Sequence, residues 1–193
     1  MLEPPYPGLT RVCLKEDIDL YGWAIGDHTY GRPNVMEKGR AHLEIGRFTS
    51  MAAATIVLGN HDTRNVSTYP FDALRAWWPG MDDSACHIAR PVRIGSDVWI
   101  CESSIVLPGT TISHGAVIGA GAAVSGTIPP YAVVSGNPGT VVKYRFEPKQ
   151  IGRLLSCAWW DLPDRQINAM LPLLASHDVD AFLARVEELR DAR

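Results

Sequence analysis

One histidine of this chain lies where its side chain could do acid–base chemistry. His61 follows a Gly59-Asn60 turn and precedes Asp62, in a polar stretch without core-like periodicity. Histidine is the side chain whose ordinary titration lies closest to neutral pH, so an imidazole in such a loop can take a proton from a hydroxyl group. We therefore identify His61 as the candidate general base of a catalytic site.

The elements that must position His61 are short segments repeated every six residues. Six consecutive hexads run from Ile94 to Pro129, with Ile or Val at the first position and a small or β-branched residue at the fifth. A period of six fits neither one face of a helix nor a flat strand. It is typical of a solenoid in which short strands meet at tight corners and stack their apolar residues coil on coil. The sequence predicts an all-β solenoid whose inward residues are Ile94, Ile100, Val106, Ile112, Ile118 and Val124 at the first position, and Val98, Ser104, Thr110, Ala116, Ala122 and Ile128 at the fifth.

The repeat is interrupted once, just after the segment that carries the histidine. Residues 45–50 and 51–56 form two earlier hexads, Val57 begins a third, and the period then breaks until about Pro91. A solenoid has no structural need for such a break, and long insertions in repeat proteins usually serve a binding face. We predict a solenoid domain over residues 1–146 with an inserted active-site loop over about residues 61–91.

Beyond the solenoid the periodicity becomes helical. Apolar residues recur at helical spacing from Pro148 onward, Asp178 is placed as an N-cap, and Pro163 and Pro172 are expected to end helices. We predict a helical cap over residues 147–193 that covers the open end of the solenoid, where strand edges would otherwise be unpaired.

Composition excludes several partner classes. A net charge of −3 gives no basis for binding nucleic acid, and no apolar run reaches the ~20 residues of a membrane span. The four cysteines have no CxxC spacing and the N-terminus has no export signal, so we expect free thiols and a cytoplasmic protein.

Three segments carry a resemblance to a known family. They are residues 59–62 with residues 67–71, residues 94–100, and residues 134–138 followed by residues 143–146. They resemble the histidine loop, the Trp-containing coil and the solenoid exit of the hexapeptide-repeat acyltransferases. Within that group they are most similar to the xenobiotic acetyltransferase branch, which includes the streptogramin and hexapeptide chloramphenicol acetyltransferases. The resemblance spans roughly residues 20 to 185.

The resemblance implies a fold, an assembly and an activity. These are a left-handed parallel β-helix, a homotrimer, and transfer of an acetyl group from acetyl-CoA to a hydroxyl of a small acceptor, with His61 as base. It also implies a donor site along the coil corners, with Trp99 beside the thioester and basic residues near the phosphates. Cys101 stands where the family usually has glycine, and Arg145 could instead pair with an acidic residue of the tail. The expected donor-binding residues are Trp99, Cys101, Gly121, Ala122, Thr140, Lys143 and Arg145.

The acceptor is less defined than the donor. Aromatic residues of the inserted loop are expected to form the walls of its pocket, which would suit an antibiotic, a sugar ring or a biosynthetic intermediate. Acetylation of a sugar amine on the same scaffold stays an alternative. The expected acceptor-binding residues are Tyr30, Tyr69, Phe71, Trp77 and His87, with Trp78 beside them.

Two other functions are compatible with parts of the sequence. A γ-type carbonic anhydrase shares the fold that the resemblance implies and binds zinc with three histidines. However, His61, His87 and His114 do not have the spacing of its ligands, so we expect no metal. A non-catalytic trimeric scaffold would account for the repeats, but not for the histidine loop.

Overall fold

A computed structural model describes residues 7–81 and 86–191 of the chain. Within them, most strands are two or three residues long, as expected for a chain that turns a corner every six residues. The strands are β1 (Ala24–Ile25), β2 (Asn34–Met36), β3 (Leu43–Ile45), β4 (Ser50–Met51), β5 (Thr55–Val57), β6 (Gly59–His61), β7 (His87–Ala89), β8 (Val92–Ile94), β9 (Trp99–Ile100), β10 (Ile105–Val106), β11 (Thr111–Ile112), β12 (Val117–Ile118), β13 (Ala123–Val124), β14 (Thr127–Ile128), β15 (Ala132–Ser135) and β16 (Thr140–Tyr144).

The chain visits three sheets in rotation. The first sheet has the order β1-β3-β8-β11-β14, the second β4-β9-β12-β15-β16 and the third β2-β5-β10-β13. Neighbouring strands in these sheets are parallel, apart from β16, which returns antiparallel to β15. Equivalent residues of successive coils pair in register, as Ile94 does with Ile112 and Ile100 with Ile118. This is the stacked arrangement of coils that the hexads predict.

The inward residues are those that the repeat predicts. The first-position residues of the six hexads are each at most 3% exposed, and the fifth-position residues at most 6%. Two of the latter are polar, and both are satisfied locally: the hydroxyl of Ser104 donates to the Cys101 carbonyl at 2.8 Å and that of Thr110 to the Leu107 carbonyl at 2.6 Å. The core therefore tolerates these hydroxyls without unpaired donors.

One register prediction is wrong. Ile56, rather than Val57, pairs with Val106 and is completely buried, whereas Val57 is half-buried. The inward residues Met51 and Ile56 are five residues apart instead of six, so the inward position arrives one residue early. The irregularity lies immediately before the inserted loop.

Glycines at one corner allow successive coils to approach closely. A Cβ placed on Gly46 would lie 2.5 Å from the backbone nitrogen of Ser96, and one on Gly95 would lie 2.7 Å from that of His114. No side chain fits at such distances, so the stacking of this corner requires glycine.

The insertion begins and ends in a two-stranded ribbon. Strand β6 pairs antiparallel with β7, apart from the three large sheets, and a short 3₁₀ turn at Phe71–Leu74 lies in the loop between them. The ribbon holds the two ends of the insertion together where it leaves the coil.

Five helices flank the coils in the described residues. Helices α1 (Thr10–Cys13) and α2 (Lys15–Tyr21) precede β1, and α3 (Pro148–Cys157), α4 (Asp164–Leu174) and α5 (Val179–Asp191) form the tail. The N-cap at Asp178 is confirmed, because its carboxylate accepts the Ala181 amide hydrogen at 2.9 Å. Pro172 lies inside α4 instead of ending it. It is on the exposed face, where water can bond the carbonyl that loses its partner.

The tail packs along the side of the coils, which differs from the expected cap over the open end. Trp159 packs on Phe48 with ring centroids 5.0 Å apart, and Trp160 stacks on His114 at 4.6 Å. The contacted corner turns through left-handed residues in successive coils, and these project side chains outward to give the helices a surface. The outward side chains belong to His28, Phe48, Asp97 and Tyr131, and the remaining left-handed residue of this corner is Gly115, which has no side chain. None of the described helices is long and apolar enough to cross a membrane.

Candidate active site

The ribbon places two histidines directly opposite each other. His61 on β6 and His87 on β7 are register partners, and their ring centroids lie 5.1 Å apart with the planes at 63°. The ribbon is extended by a bond from the Asp62 amide to the Cys86 carbonyl at 2.9 Å. His61 is exposed, whereas the side chain of His87 is 7% exposed. One imidazole therefore faces solvent and the other lies behind it.

The backbone of the loop fixes the orientation of His61. Its Nδ1 lies within hydrogen-bond distance of the Thr68 carbonyl oxygen, and its own amide donates to the Asn60 side chain at 2.8 Å. A carbonyl can only accept a hydrogen bond, which assigns the hydrogen of a neutral ring to Nδ1. Nε2 then keeps its lone pair, as a base requires.

A carboxylate holds the second imidazole. Nδ1 of His87 lies 3.0 Å from Oδ2 of Asp72, and the Asp72 side chain is only 10% exposed. The hydrogen bond from His87 is the largest cause that lowers the pKa of Asp72, to about 2, and the backbone amides of Cys86 and Ala73 act in the same direction. Asp72 is therefore ionised at neutral pH, in contact with His87.

A second carboxylate fixes the start of the loop. Asp62 accepts hydrogen bonds from the Arg64 guanidinium at 2.6 and 2.9 Å and from the Arg64 amide at 3.0 Å. These bonds lower the pKa of Asp62 to about 2. The ion pair closes a tight turn after β6 and contacts neither imidazole.

Three aromatic residues of the loop form one cluster. Tyr69, Phe71 and Trp78 have ring centroids 4.8 to 6.4 Å apart, and Phe71 precedes Asp72 in the 3₁₀ turn. Trp77 is 80% exposed and does not contribute to this cluster. The loop thus presents an apolar wall that is joined to the histidine pair through Asp72.

Tyr30, which is also expected in the acceptor pocket, lies away from the inserted loop. Tyr30 pairs with Ser50, and Ser50 with Trp99, along the outer side of the second sheet. Both Tyr30 and Trp99 are about half exposed, at 50% and 54%. Within one chain, the described contacts place Tyr30 with Trp99 and not with His61.

Named proteins of similar sequence are acetyltransferases. The chain is 33% identical to a chloramphenicol acetyltransferase of Agrobacterium fabrum, over 93% of this chain and 93% of that protein. It is 39% identical to a chloramphenicol acetyltransferase of Escherichia coli, over 74% of this chain and 70% of that protein. This chain belongs to the xenobiotic acetyltransferase branch of the hexapeptide-repeat acyltransferases.

Two further comparisons add little to this assignment. A solved maltose O-acetyltransferase from Clostridium difficile is 24% identical over 76% of this chain and 80% of its own, with a TM-score of 0.47. No protein-family model matches the chain.

Three of the expected donor residues of the acetyltransferase lie at or near open coil surface. Trp99 is exposed on β9 and Cys101 follows the same strand half-buried, with burial raising the pKa of its thiol. Gly121 is exposed in a turn with φ of +68°, and a Cβ there would meet open space. Its glycine suits the left-handed turn, and the space beside it is free for a ligand.

Ala122 cannot contribute its side chain to a donor site outside the coil. The residue is completely buried among the inward fifth-position residues, as the repeat itself predicts. The two expectations for Ala122 conflict, and the structure supports the core position.

Thr140 and Lys143 lie on β16, whose residues are all exposed.

The side chain of Arg145 is hydrogen-bonded to residues of the coil. Its Nη1 donates to Asp97 at 3.1 Å and to the Gly115 carbonyl at 2.7 Å, and its guanidinium lies over the rings of Tyr131 and Phe146. The expected acidic partner in the tail is instead Asp97 of the coil. These contacts occupy the guanidinium, so of the two basic residues expected near the phosphates Lys143 stays the candidate.

The histidines of the zinc alternative do not converge. His114 accepts the Ser96 amide hydrogen at Nδ1 and stacks on Trp160 of the tail, whereas His61 and His87 lie on the ribbon. In residues 7–81 and 86–191, no three His, Cys, Asp or Glu side chains are grouped as metal ligands would be. The geometry gives no support to a zinc site.

Two groups that contact the histidine pair could not be predicted from the sequence. Asp72 has no local signal, because its imidazole partner lies fifteen residues along the chain. The Thr68 carbonyl is a backbone group, which sequence does not distinguish from any other. Antiparallel pairing of β6 with β7 is the information that joins them.

Proposed function

We propose that this acetyltransferase transfers the acetyl group of acetyl-CoA to a hydroxyl of a small acceptor, with His61 as general base. The bond between His61 and the Thr68 carbonyl carries the proposal, because it leaves Nε2 unprotonated and directed away from the loop backbone. The exposed position of His61 lets an acceptor reach that nitrogen.

The reaction needs no covalent enzyme intermediate, because a thioester is already activated. Nε2 takes the hydroxyl proton as the acceptor oxygen bonds to the thioester carbonyl carbon. The carbon–sulfur bond then breaks, and the departing CoA thiolate takes the proton from the imidazolium. A backbone amide can stabilise the oxyanion that forms in between.

The donor is proposed to lie along the coil corners. Trp99 would contact the thioester end, while the pantetheine arm would pass Cys101 and the open turn at Gly121. Thr140 and Lys143 on exposed β16 would lie near the phosphates. Nothing in this scheme requires a metal ion.

We further propose a left-handed β-helix that assembles as a homotrimer. The histidine ribbon and the Tyr30–Trp99 surface lie on different elements, and no described contact joins them within one chain. A neighbouring subunit can supply a Trp99 surface to His61, which would complete the site. Exposed apolar side chains on both elements, including Trp77 and Trp99, fit such an interface.

Sedimentation equilibrium is expected to give a mass three times that of the chain at micromolar concentration. The reason is that donor and base would otherwise lie on separate surfaces of one molecule. A monomer under these conditions, with acetyltransferase activity retained, would contradict the trimeric site.

Acetyl-CoA-dependent thiol release is expected with a hydroxyl acceptor and not without one. Chloramphenicol is the first acceptor to assay, since two relatives carry its name, followed by streptogramins and sugars. Free thiol can be followed by absorbance with a thiol reagent, and the product identified by mass spectrometry. An ester product supports the proposal. An amide on an amino sugar would support N-acetylation instead, and thiol release that does not depend on any acceptor would count against both.

A further inference from the structure

We infer that His87 and Asp72 are positioning residues that hold His61 in its base-competent orientation. This inference rests on the proposed function of His61. It assigns to Asp72 a role that the sequence does not suggest, and gives His87 a task other than contact with the acceptor.

The first observation is the position of the two rings. His61 and His87 are partners in an antiparallel pair, so their side chains leave the ribbon on the same face. The rings meet edge to face, 5.1 Å apart. Because Thr68 fixes only one atom of the His61 ring, a neighbour at this distance restricts how far the ring can turn about that bond.

The second observation is that His87 is itself immobilised. Its side chain is 7% exposed and bonded to a carboxylate that is 10% exposed. A hydrogen bond to a charged acceptor is stronger than a neutral one, so this contact holds His87 firmly. Asp72 in turn lies in the 3₁₀ turn of the loop, and its side chain is itself largely buried.

The third observation is the charge. The low pKa of Asp72 keeps its carboxylate ionised where it contacts the ring of His87. When His61 accepts the proton of the acceptor it becomes positive, and a fixed negative charge on the far side of the His87 ring favours that form. The pair can therefore both orient the base and stabilise the charge that develops on it.

The test is a double-mutant cycle with the base. His87→Ala and Asp72→Asn are made in the wild-type enzyme and in His61→Ala, and kcat and both KM values are measured with an acceptor that the wild type uses. We expect His87→Ala to lower kcat by about 10- to 100-fold, the size of effect expected from misplacing a catalytic group. Asp72→Asn should give a smaller loss in the same direction, with the KM for acetyl-CoA unchanged.

In the His61→Ala background neither substitution should lower the residual turnover further, because no imidazole remains to be positioned. An equal loss in both backgrounds would show that the pair supports the loop as a whole, and would overturn the inference. So would a wild-type kcat for His87→Ala. If His61→Ala alone retained turnover, the proposed function would fail, which is a separate result.

Asp62→Asn is the matched control. Asp62 is a carboxylate of the same loop with a similarly low pKa, but it is bonded to Arg64 and to no imidazole. We expect its kcat to stay near that of the wild type. A loss equal to that of Asp72→Asn would attribute both to loop order, against the inference. Asp72→Asn retains the shape of the side chain, so the cycle can be completed with it if His87→Ala does not fold.

Discussion

His61→Ala should lower kcat by about 10²- to 10⁴-fold, the range of a positioned general base. The alanine leaves the Thr68 carbonyl without its partner and the acceptor hydroxyl without a group to take its proton. Acetyl-CoA affinity should change little, because the proposed donor surface at Trp99 lies on a different element. Steady-state kinetics with both substrates varied, and a direct binding measurement for acetyl-CoA, check the two halves of this expectation.

Trp99→Ala provides the contrast. It removes an exposed ring from the proposed donor surface and leaves the histidine ribbon intact, so it should raise the KM for acetyl-CoA more than it lowers kcat. Circular dichroism of both variants controls for folding. A His61→Ala enzyme with near-normal turnover on an accepted acceptor would end the assignment of the base.

The coil could be predicted from sequence because its physical cause is periodic. Each hexad returns an Ile or Val to the same interior column. The burial of a residue such as Ile100 can therefore be predicted from the Ile and Val residues six positions before and after it. Close stacking of backbones at Gly46 and Gly95 has the same physical basis, since no other residue fits there. Features that repeat in sequence and in space can be recognised without coordinates.

Features that depend on a single long-range contact could not be predicted in this way. Ile56 takes the inward position because one corner is a residue short, and nothing in the local pattern marks that corner. Arg145 could be recognised as a cation, but its partner Asp97 lies in another coil and was not identified. The tail was expected at the open end because strand edges need covering. Its actual surface consists of left-handed corner residues such as Phe48 and Tyr131, whose outward projection depends on backbone angles.

Some residues of the candidate site could be identified from the sequence, and others depend on long-range contacts. His61 could be identified from its motif and its place at the break in the repeat. Its relation to His87 follows from the register of the ribbon, and the role of Asp72 from a turn within an irregular loop. A candidate base can be proposed from residue type and position, whereas the groups proposed to orient it are found only when the chain is folded.

Ile118→Ala should lower the free energy of unfolding by about 2–5 kcal/mol. Ile118 is completely buried, and it pairs in register with Ile100 in the coil before and Val134 in the coil after. Removing three carbons from this column leaves a cavity that the neighbouring strands cannot close without breaking their own pairing. Urea or thermal unfolding at one fixed protein concentration measures the loss, since the stability of the proposed trimer would depend on concentration.

Two further substitutions separate burial from the mere loss of carbon atoms. Ile118→Val removes one carbon from the same site and should cost about 0.5–1.5 kcal/mol. Ile105→Ala makes the same chemical change as Ile118→Ala, but on a side chain whose residue is 37% exposed, so its cost should be smaller than that of Ile118→Ala. If the interior column is filled, Ile118→Ala must lower the free energy of unfolding more than Ile118→Val does. If Ile118→Ala were no more destabilising than Ile105→Ala, then Ile118 would not be an inward residue, and the register of the coils around it would be incorrect.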